Sequence, residues 1–530
     1  MESAEGCGTP SQSTAAATAE QDQPADDTGI EPPQPAAGAS RRWVHVARAV
    51  ISIGLLIQLA VLLRTSWTQY HSGSVSMDFA IFHQAWHQIG AGDLNPFSTI
   101  VGYPYLQSHL ELAMWPLALV GVVFPSGVTL LVLQDLAIVG AEAIALLWVL
   151  DVVRRDRTLR PVHLLPVGTA LALFLGSEQI RSAAQSDFHF QPFATLFVLG
   201  AARALWRGDT RRVWIWVIAA LLTGDVAGTY VAGLGVSALL ARRDTRLVGL
   251  GLMAAGASWT AGVGLIGANN GSAIAGYAYL VDEPLPASGS ALLVVLGALL
   301  LHPSRPLAVL RDDFAVFAPQ LASTGAIGLL HPWAVGVCAV TVLAGALQES
   351  EAFLLAFQNF PLLLFATAGT AMWLDWLSRG ATGARGARPP SQGRRVVTAG
   401  AVLAVAAVTL LGSADTPPSH SYRPGAAAAL EAVDRQLTAQ DQVIASFGLV
   451  GRFAGREDVR FFLVPAQIPV EAERVVFVFS PTIGNMPTPD AQEAAADAVR
   501  DLGARPIVET DDVRAYVWEP PAGTTSITLP

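Results

Sequence analysis

Long apolar runs separated by short polar or basic stretches dominate the pattern along this chain. A helix needs about 20 consecutive apolar residues to cross the roughly 30 Å hydrocarbon core of a bilayer. Runs of about that length, several of them short, lie near 46–64, 127–152, 162–178, 191–206, 211–224, 226–241, 247–268, 286–302, 313–330, 354–376 and 396–412. The pattern therefore predicts a mainly α, polytopic transmembrane helical bundle.

The two ends of the chain differ from this pattern. Residues 1–42 are rich in Ala, Pro, Gln, Asp and Thr, and we expect them to form a disordered cytoplasmic tail. The first apolar run begins only after Arg41 and Arg42, which indicates a retained anchor rather than a cleaved signal peptide.

The basic residues between the apolar runs predict the orientation of the bundle. Their clusters are Arg41/Arg42/Arg48, Arg154/Arg155/Arg157/Arg160, Arg207/Arg211/Arg212, Arg242/Arg243/Arg246, Arg305/Arg311 and Arg379/Arg385/Arg394/Arg395. The positive-inside rule places these clusters in the cytoplasm. Only one of the two runs at 109–124 and 127–152 can then cross, and the shorter one, with Pro116, is predicted to lie horizontally or re-enter on the outer face. This gives about eleven spans, with the N-terminus inside and the C-terminus outside.

Residues 414–530 change to a polar composition with alternating strand-like and helical stretches. The strand-like runs are Val443–Phe447, Val459–Val464, Arg474–Ser480, Ile507–Glu509 and Val513–Trp518, and the helical ones are Ala426–Leu437 and Asp490–Leu502. This order predicts a small extracytoplasmic α/β domain after a transmembrane domain at 43–413. Because 414–530 contains neither a phosphate loop nor a nucleophile elbow nor a metal motif, we expect it to dock on or shape the outer face.

Composition narrows the possible functions. The chain is 52% hydrophobic and 14% charged, whereas soluble proteins carry about 25% charged residues. A net charge of −10 and dispersed basic clusters argue against nucleic acid as a partner. Two cysteines, Cys7 and Cys338, provide neither a disulfide framework nor a metal-ligand spacing.

Acidic and histidine residues gather on the predicted outer side. They are Asp78, His83, His87 and His109 in the first loop, Asp187 and His189 in the next, Asp225 at a later turn, and Glu349 and Glu351 beyond it, with Arg181 as an outer arginine. A solvated loop is the alternative for the pair at 187 and 189, and it is the favoured interpretation for Glu349 and Glu351. Arg181 is equally explained by an interfacial snorkelling side chain.

Two of the aspartates have specific alternatives. Asp78 begins a helix that carries Phe79, Phe82 and Trp86 on one face, which we expect at the bilayer interface, and its carboxylate could cap the helix instead of acting in catalysis. Asp225 interrupts a long apolar stretch, where an inserted aspartate costs about 2.5–3.5 kcal/mol, so it should face a cavity or a partner unless it only forms a turn.

Asp135 and Glu142 lie within one apolar run, seven residues apart and therefore on one helix face. We expect that face to turn toward the inside of the bundle.

The order of these residues resembles the GT-C superfamily of integral membrane glycosyltransferases, and most of all an uncharacterised branch known only as a domain of unknown function. The resemblance runs from about 46 to 520 and rests on Asp78 through Gln84 to Trp86 or His87, on His109, on Asp187-Phe188-His189 before Pro192, on Asp225 and on His331-Pro332. It implies an essential carboxylate in the first outer loop, which matches Asp78, two helices along the membrane in that loop, and a polyprenyl-phosphate sugar donor. The acceptor would be a protein, a lipid or a glycan.

A membrane glycosyltransferase of the plasma membrane is thus the first hypothesis. Asp78 is the candidate base, Asp225 or Asp187 could position the acceptor, and His109, His189 and Arg181 could bind phosphate oxygens, while His83, His87, Glu349 and Glu351 complete the candidate set. No metal ligands are assigned and no cofactor is certain, although a divalent metal ion stays open. The alternatives are a membrane transporter, a lipid-handling protein or a cell-envelope assembly protein.

Overall fold

The protein is described by a computed structural model over residues 37–108, 110–155, 159–266, 277–281, 290–312, 314–346, 357–379, 423–462, 466–483 and 488–530. Helices dominate residues 37–379, and a mixed α/β unit follows from residue 423. The predicted fold class, a helical membrane domain with a small C-terminal α/β domain, is confirmed.

The helices of the membrane domain follow one another with short connections. They are α1 Ala37–His71, α2 Met77–Gly90, α3 Tyr105–Ser108, α4 Met114–Val123, α5 Val128–Arg154, α6 Leu165–Gly176, α7 Glu178–Gln185, α8 Gln191–Arg207, α9 Thr210–Leu221, α10 Val226–Ala241, α11 Arg246–Ile266, α12 Ser290–Leu301, α13 Ser304–Asp312, α14 Phe314–Ser323, α15 Val335–Ala346 and α16 Phe360–Arg379. A two-stranded ribbon of β1 Phe97–Ser98 and β2 Tyr103–Pro104 precedes α3.

Three helices in the described parts of the chain are long and apolar enough to cross a membrane. They are Arg41–His71 within α1, α5 and α16, and a bent pair formed by Pro161–Gly176 and Glu178–Gln185 with a 46° break would make a fourth. The predicted total of about eleven spans stays a prediction.

Helix α4 is too short to cross the bilayer. Its 10 residues extend about 15 Å, half of the hydrocarbon thickness. It packs on α2, where the Trp86 indole N–H donates to the Leu117 carbonyl at 3.0 Å, and it exposes Leu119 and Val122. That this segment lies horizontally or re-enters on the outer face stays a prediction.

The aromatic face of α2 lies elsewhere than the sequence suggested. Phe79, Phe82 and Trp86 are 0%, 5% and 1% exposed and pack in a core with Met114 and Ala118 of α4. The prediction that this face meets the bilayer was wrong, because α4 covers it and presents its own apolar side chains outward.

Predicted cytoplasmic basic clusters meet at one end of the bundle, which we call the arginine-rich end. The Asp151 carboxylate of α5 pairs with Arg154 at 2.9 Å, Arg203 at 2.9 Å and Arg207 at 2.5 Å. Arg379 at the end of α16 donates to the Arg155 carbonyl at 3.1 Å. The opposite end, where α5 begins, carries α2 and α4.

The C-terminal unit is a five-stranded mixed sheet with helices. Its elements are α17 Pro424–Asp434, β3 Gln442–Ser446, α18 Val450–Phe453, β4 Val459–Phe462, β5 Ala466–Pro469, β6 Val475–Phe479, α19 Pro489–Asp501, β7 Arg505–Glu509, β8 Arg514–Trp518 and β9 Ser526–Leu529. The sheet order is β4-β3-β6-β8-β7, with β3 parallel to β4 and β6, and with β8 antiparallel to its neighbours. Strands β3 and β6 are buried throughout, as expected of strands covered on both faces.

This C-terminal unit docks directly on α2. The Gly451 N–H donates to the Val75 carbonyl at 3.1 Å, and the Gln84 amide donates to the Glu457 carbonyl at 3.2 Å. Ala80 and Ile81 of α2 belong to the same hydrophobic core as the sheet. Helix α2 is therefore held between α4 on one face and the α/β unit on another.

Candidate functional site

The first turn of α2 is capped from a distant part of the chain. Ser76 is the N-cap residue but makes no side-chain cap of its own. The Asp187 carboxylate instead accepts the Ser76 N–H at 3.1 and 3.2 Å, the Ser76 hydroxyl, and the Phe79 N–H. Asp187 therefore satisfies helix N–H groups that would otherwise lack partners. Asp78, the alternative cap in the sequence, lies one residue inside the helix.

Asp187 and Asp78 form a pair of carboxyl groups in unequal surroundings. Asp187 is buried, and Asp78 is only partly buried. Burial is the main reason that the pKa of Asp187 rises to about 7; the negative charge of Asp78 adds to the rise, and the hydrogen bonds from Ser76 and Phe79 oppose it. One carboxyl group can thus carry a proton near neutral pH beside a second, more accessible one. Such pairs can divide acid and base roles.

The loop that carries Asp187 is fixed by a buried amide from α5. Gln134 donates to the Asp187 carbonyl at 2.7 Å and accepts the His189 N–H at 2.6 Å. Asp187 itself has φ +64°, a left-handed conformation that is uncommon for a residue with a side chain. The hydrogen bonds with Gln134 and those that Asp187 accepts at the start of α2 together hold this conformation.

The His189 ring packs against aromatic side chains of two other segments. Its ring stacks on Phe357 with 3.7 Å between centroids and a 3° angle between planes, and it meets Phe82 edge-on at 6.4 Å. The side chain is 7% exposed. The imidazole therefore lies close to α2 and to the segment that enters α16.

Asp225 begins α10 and lies on the turn that follows α9. Its carboxylate accepts the Val226 N–H at 2.7 Å, and the residue is exposed. The turn is held on the first loop by the Ala113 N–H, which donates to the Leu222 carbonyl at 2.7 Å, and on α11 by Trp259, which donates to the Gly224 carbonyl at 2.9 Å. The structure brings this turn to the same end of the bundle as α4.

Buried Glu111 lies at the contact between the first loop and the turn before α10. A Cβ on Gly224, whose φ is +132°, would lie 3.0 Å from the Glu111 side chain, and the Tyr105 hydroxyl donates to Glu111 at 3.4 Å. Glycine at 224 is thus required both by the backbone conformation and by the close approach.

The two histidines of α2 have different surroundings. His83 is 3% exposed and lies 3.4 Å from the Gly451 carbonyl, against the α/β unit. Burial above all, with smaller effects of His87 and Arg452, lowers the pKa of His83 to about 4, against the hydrogen bond to Gly451. The ring is therefore neutral at neutral pH and helps to seat the domain. His87 is exposed on the same helix.

Arg181 lies on α7, which leads into the Asp187 loop. It pairs with Glu178 at 2.6 Å and donates to the Leu175 carbonyl at 3.1 Å. Its side chain is 31% exposed. The guanidinium is therefore held locally but remains open on one side.

Three residues of the candidate set, His109, Glu349 and Glu351, lie outside the residues that the structure describes. Among the described residues no group of three or more His, Cys, Asp and Glu is arranged to hold a metal ion. Asp78 and Asp187 would offer a metal ion two carboxyl groups, and that of Asp187 already caps α2.

Reasoning from the sequence missed the residues that position the site. Gln134, Ser76 and Glu111 were not proposed, although a lone amide such as Gln134 within an apolar span is expensive and signals a specific partner. Phe357, the stacking partner of His189, carried no such signal.

Comparison with known proteins identifies a family and a similarity to solved structures. The curated proteins include no match. A crystal structure of ArnT from Cupriavidus metallidurans in the apo state is similar with a TM-score of 0.43 and 12% identity, over 90% of this chain and 98% of that chain. The profile of the family described as "Predicted membrane protein (DUF2079)" matches residues 70–495, and the chain therefore belongs to this family of membrane proteins.

Proposed function

We propose that this protein is a membrane glycosyltransferase that moves a sugar from a polyprenyl-phosphate donor to an extracytoplasmic acceptor. The observation that carries the proposal is the Asp78 and Asp187 pair at the start of α2, where a partly buried carboxylate lies beside a buried carboxyl group with a pKa of about 7. The resemblance of the motif order to GT-C enzymes supplies the reaction class.

In this proposal Asp78 is the base that removes the proton of the acceptor hydroxyl. Proton transfer by a positioned side chain contributes about 10²–10⁴-fold in rate. Asp187 fixes the N-terminus of α2, and thereby the position of Asp78, and its own proton limits the repulsion between the two groups. Asp225, exposed on a turn pinned to the first loop, orients the acceptor.

The leaving phosphate requires donors or cations near the same end of the bundle. Arg181 is the described cation on the segment leading to Asp187, and His189 lies in the same loop. Roles for His109, His83, His87, Glu349 and Glu351 in donor binding stay predictions, as does a divalent metal ion.

The arrangement of the protein in the cell belongs to the same proposal. Residues 1–42 form the cytoplasmic tail, 43–413 the transmembrane domain and 414–530 an extracytoplasmic domain of a plasma-membrane protein. The docking of 423–530 on α2 supports a role for this domain in shaping the acceptor side. The acceptor class, a glycan, a lipid or a protein, stays open.

A transporter is the second candidate, and it is favoured by a specific observation within the bundle. Asp135 accepts a hydrogen bond from Ser66 at 2.9 Å, and Glu142 accepts one from Gln58 at 3.5 Å, all between α1 and α5. Both carboxyl groups are fully buried. Intramembrane acids of this kind can relay protons or bind ions.

The test is sugar transfer by the purified full-length chain supplied with polyprenyl-phosphate sugars extracted from its native membrane. Asp78→Asn should reduce the rate by about 100-fold or more, and Asp225→Asn should reduce it mainly at low acceptor concentration. Asp93→Asn, which removes an exposed carboxylate from the same loop, is the matched control and should keep the full rate.

Wild-type rates in both Asp78→Asn and Asp225→Asn would refute the transferase assignment. The transporter would be favoured instead if the wild type transfers no sugar, no polyprenyl lipid co-purifies by mass spectrometry, and proton movement into reconstituted vesicles is lost in Asp135→Asn and Glu142→Gln.

A further inference from the structure

A cavity of about 550 Å³ opens at the arginine-rich end of the bundle, far from the Asp187 site. It is bordered by the start of α1 and by the ends of α5, α8 and α10, and its lining comprises Val44, Asp151, Arg154, Arg155, Trp206, Arg207, Gly208 and Arg242. Among the residues that the structure describes, the lining thus holds four arginines and one aspartate. The glycosyltransferase proposal makes no use of this cavity.

The carboxylate of Asp151 cannot accept all the hydrogen bonds that the surrounding guanidinium groups can donate. Asp151 accepts hydrogen bonds or ion pairs from Arg154, Arg203 and Arg207 at 2.5–2.9 Å. A carboxylate offers about four lone-pair sites, whereas three guanidinium groups present about fifteen N–H donors. Arg154 and Arg207 keep 40% and 37% of their side chains exposed. The cavity therefore retains donor capacity for an additional anion.

Two further arginines are held in place by the tryptophan of the cavity. The Arg155 guanidinium lies over the Trp206 ring with 5.4 Å to its centroid, and Arg242 donates to the Trp206 carbonyl at 3.2 Å. Arg242 also pairs with Asp244 at 2.6 Å. Preorganised guanidinium groups bind phosphate oxygens through paired N–H bonds at a small entropic cost.

The surface next to the cavity indicates which kind of phosphate compound would bind there. Helix α1 passes from Val44 in the lining to an exposed apolar stripe formed by Val46, Val50, Ile53 and Ile57, spaced at i, i+4, i+7 and i+11. A headgroup in the cavity would place its acyl chains along this stripe. A soluble phosphate compound would make no use of it.

We propose that this cavity binds the phosphate headgroup of an anionic phospholipid. Basic pockets between transmembrane helices, at the membrane surface that attracts Lys and Arg, are suited to such headgroups. The interaction involves no chemical step, and it is independent of the Asp78 and Asp187 site.

The test is lipid binding to the full-length chain in neutral detergent, measured by native mass spectrometry and by the thermal unfolding midpoint. Phosphatidylglycerol should bind and raise the midpoint, whereas phosphatidylcholine and soluble glycerol phosphate should do neither. Arg155→Gln and, separately, Arg154→Gln should weaken phosphatidylglycerol binding by about tenfold each, the effect of losing one charge-assisted contact.

Arg211→Gln is the matched control, since it removes the same charge from an exposed position outside the lining, and it should bind as the wild type does. Equal loss in Arg211→Gln would indicate unspecific attraction and overturn the proposal. So would equal binding of phosphatidylcholine, or the same midpoint rise with glycerol phosphate alone. If Arg155→Gln does not fold, Arg154→Gln decides the outcome, because it leaves the Arg155 stack on Trp206 and the pairs of Asp151 with Arg203 and Arg207 in place.

Discussion

Asp187 combines three unusual properties in one residue: a left-handed backbone, a buried carboxyl group, and the capping of a helix from another part of the chain. The left-handed backbone and the burial each have a free-energy cost that the surroundings must offset. The offset comes from Ser76 and Phe79 on one side and Gln134 on the other. Strained, buried acids of this kind concentrate at functional sites.

The raised pKa of Asp187 predicts a specific pH dependence of stability. Its folded pKa of about 7 exceeds the unfolded value of about 3.9, so the folded state holds a proton that the unfolded state has released. Its contribution to the free energy of unfolding therefore falls by about 1.4 kcal/mol per unit as the pH rises from about 4 to 7, and is constant above that. Asp187→Asn, which is neutral throughout, should lack this decline when unfolding is followed from pH 4.5 to 7.5.

The difference between the wild type and Asp187→Asn isolates this group, since His83 titrates in both. Because burial depresses the pKa of His83 to about 4, its own contribution to stability is lost as the pH falls from about 6.5 to 4. Asp93→Asn serves as the control for a simple change of charge. A wild-type slope retained in Asp187→Asn would show that Asp187 is ionised throughout the range.

At the residue scale the sequence indicated the acids but not their partners. Charged residues at the ends of apolar runs are visible in any such chain, so Asp78, Asp187 and Asp225 could be selected directly. The bond between Ser76 and Asp187 joins residues 111 positions apart, and only the packing of α1, α5 and α7 brings them together. A cap from outside the helix leaves no local signature.

At the scale of elements, α2 is the piece that connects the two parts of the molecule. Its aromatic face packs on α4, and its Ala80 and Ile81 enter the core of the α/β unit. Asp78 lies in the first turn of the same helix, so movement of the α/β unit would move the candidate base. Because α4 and the α/β unit both pack on α2, the candidate base is held in a fixed position.

This close docking makes Gly451 sensitive to substitution. A Cβ at this position would lie 2.7 Å from the Val75 carbonyl and 2.9 Å from both the Phe79 ring and the Ser76 carbonyl. Gly451→Ala should therefore push α18 away from α2 and cost about 1–3 kcal/mol in the free energy of unfolding. Thermal unfolding together with protease sensitivity of the region around 423 measures the effect.

Gly168→Ala in α6 is the control, because apart from the adjoining backbone of its own helix no atom lies within 4 Å of its Cβ position. It should be neutral or slightly stabilising, as alanine is favoured over glycine inside a helix. Equal behaviour of the two variants would mean that the contact between α18 and α2 is looser than these distances indicate.

The elements of the α/β unit followed from sequence patterns more readily than those of the membrane domain. Strands β3 and β6 are short apolar runs bounded by polar residues, and they lie within one residue of the predicted Val443–Phe447 and Arg474–Ser480. In the membrane domain, apolar side chains face protein and lipid alike. The sequence therefore could not show that Trp86 faces α4 and Leu119 faces outward.

At the scale of the whole molecule, the two ends of the bundle differ in their chemistry. Arginines from α5, α8 and α16 converge at one end, and the carboxyl groups of Asp78, Asp187 and Asp225 lie at the other. The positive-inside rule assigns the first end to the cytoplasm. This orientation is a prediction with its own test.

Two single-cysteine variants measure that orientation directly. Asp93 follows α2 and Arg211 begins α9, and both are exposed. In a background with Cys7→Ser and Cys338→Ala, a membrane-impermeant maleimide added to intact cells should label Asp93→Cys at once. Arg211→Cys should react only after the membrane is permeabilised, because about 30 Å of hydrocarbon separates the two ends. Labelling of both from outside would show that the two ends do not lie on opposite sides of the membrane. Labelling of Asp93→Cys only after permeabilisation would place Asp78 in the cytoplasm, out of reach of a polyprenyl-phosphate donor in the extracytoplasmic leaflet.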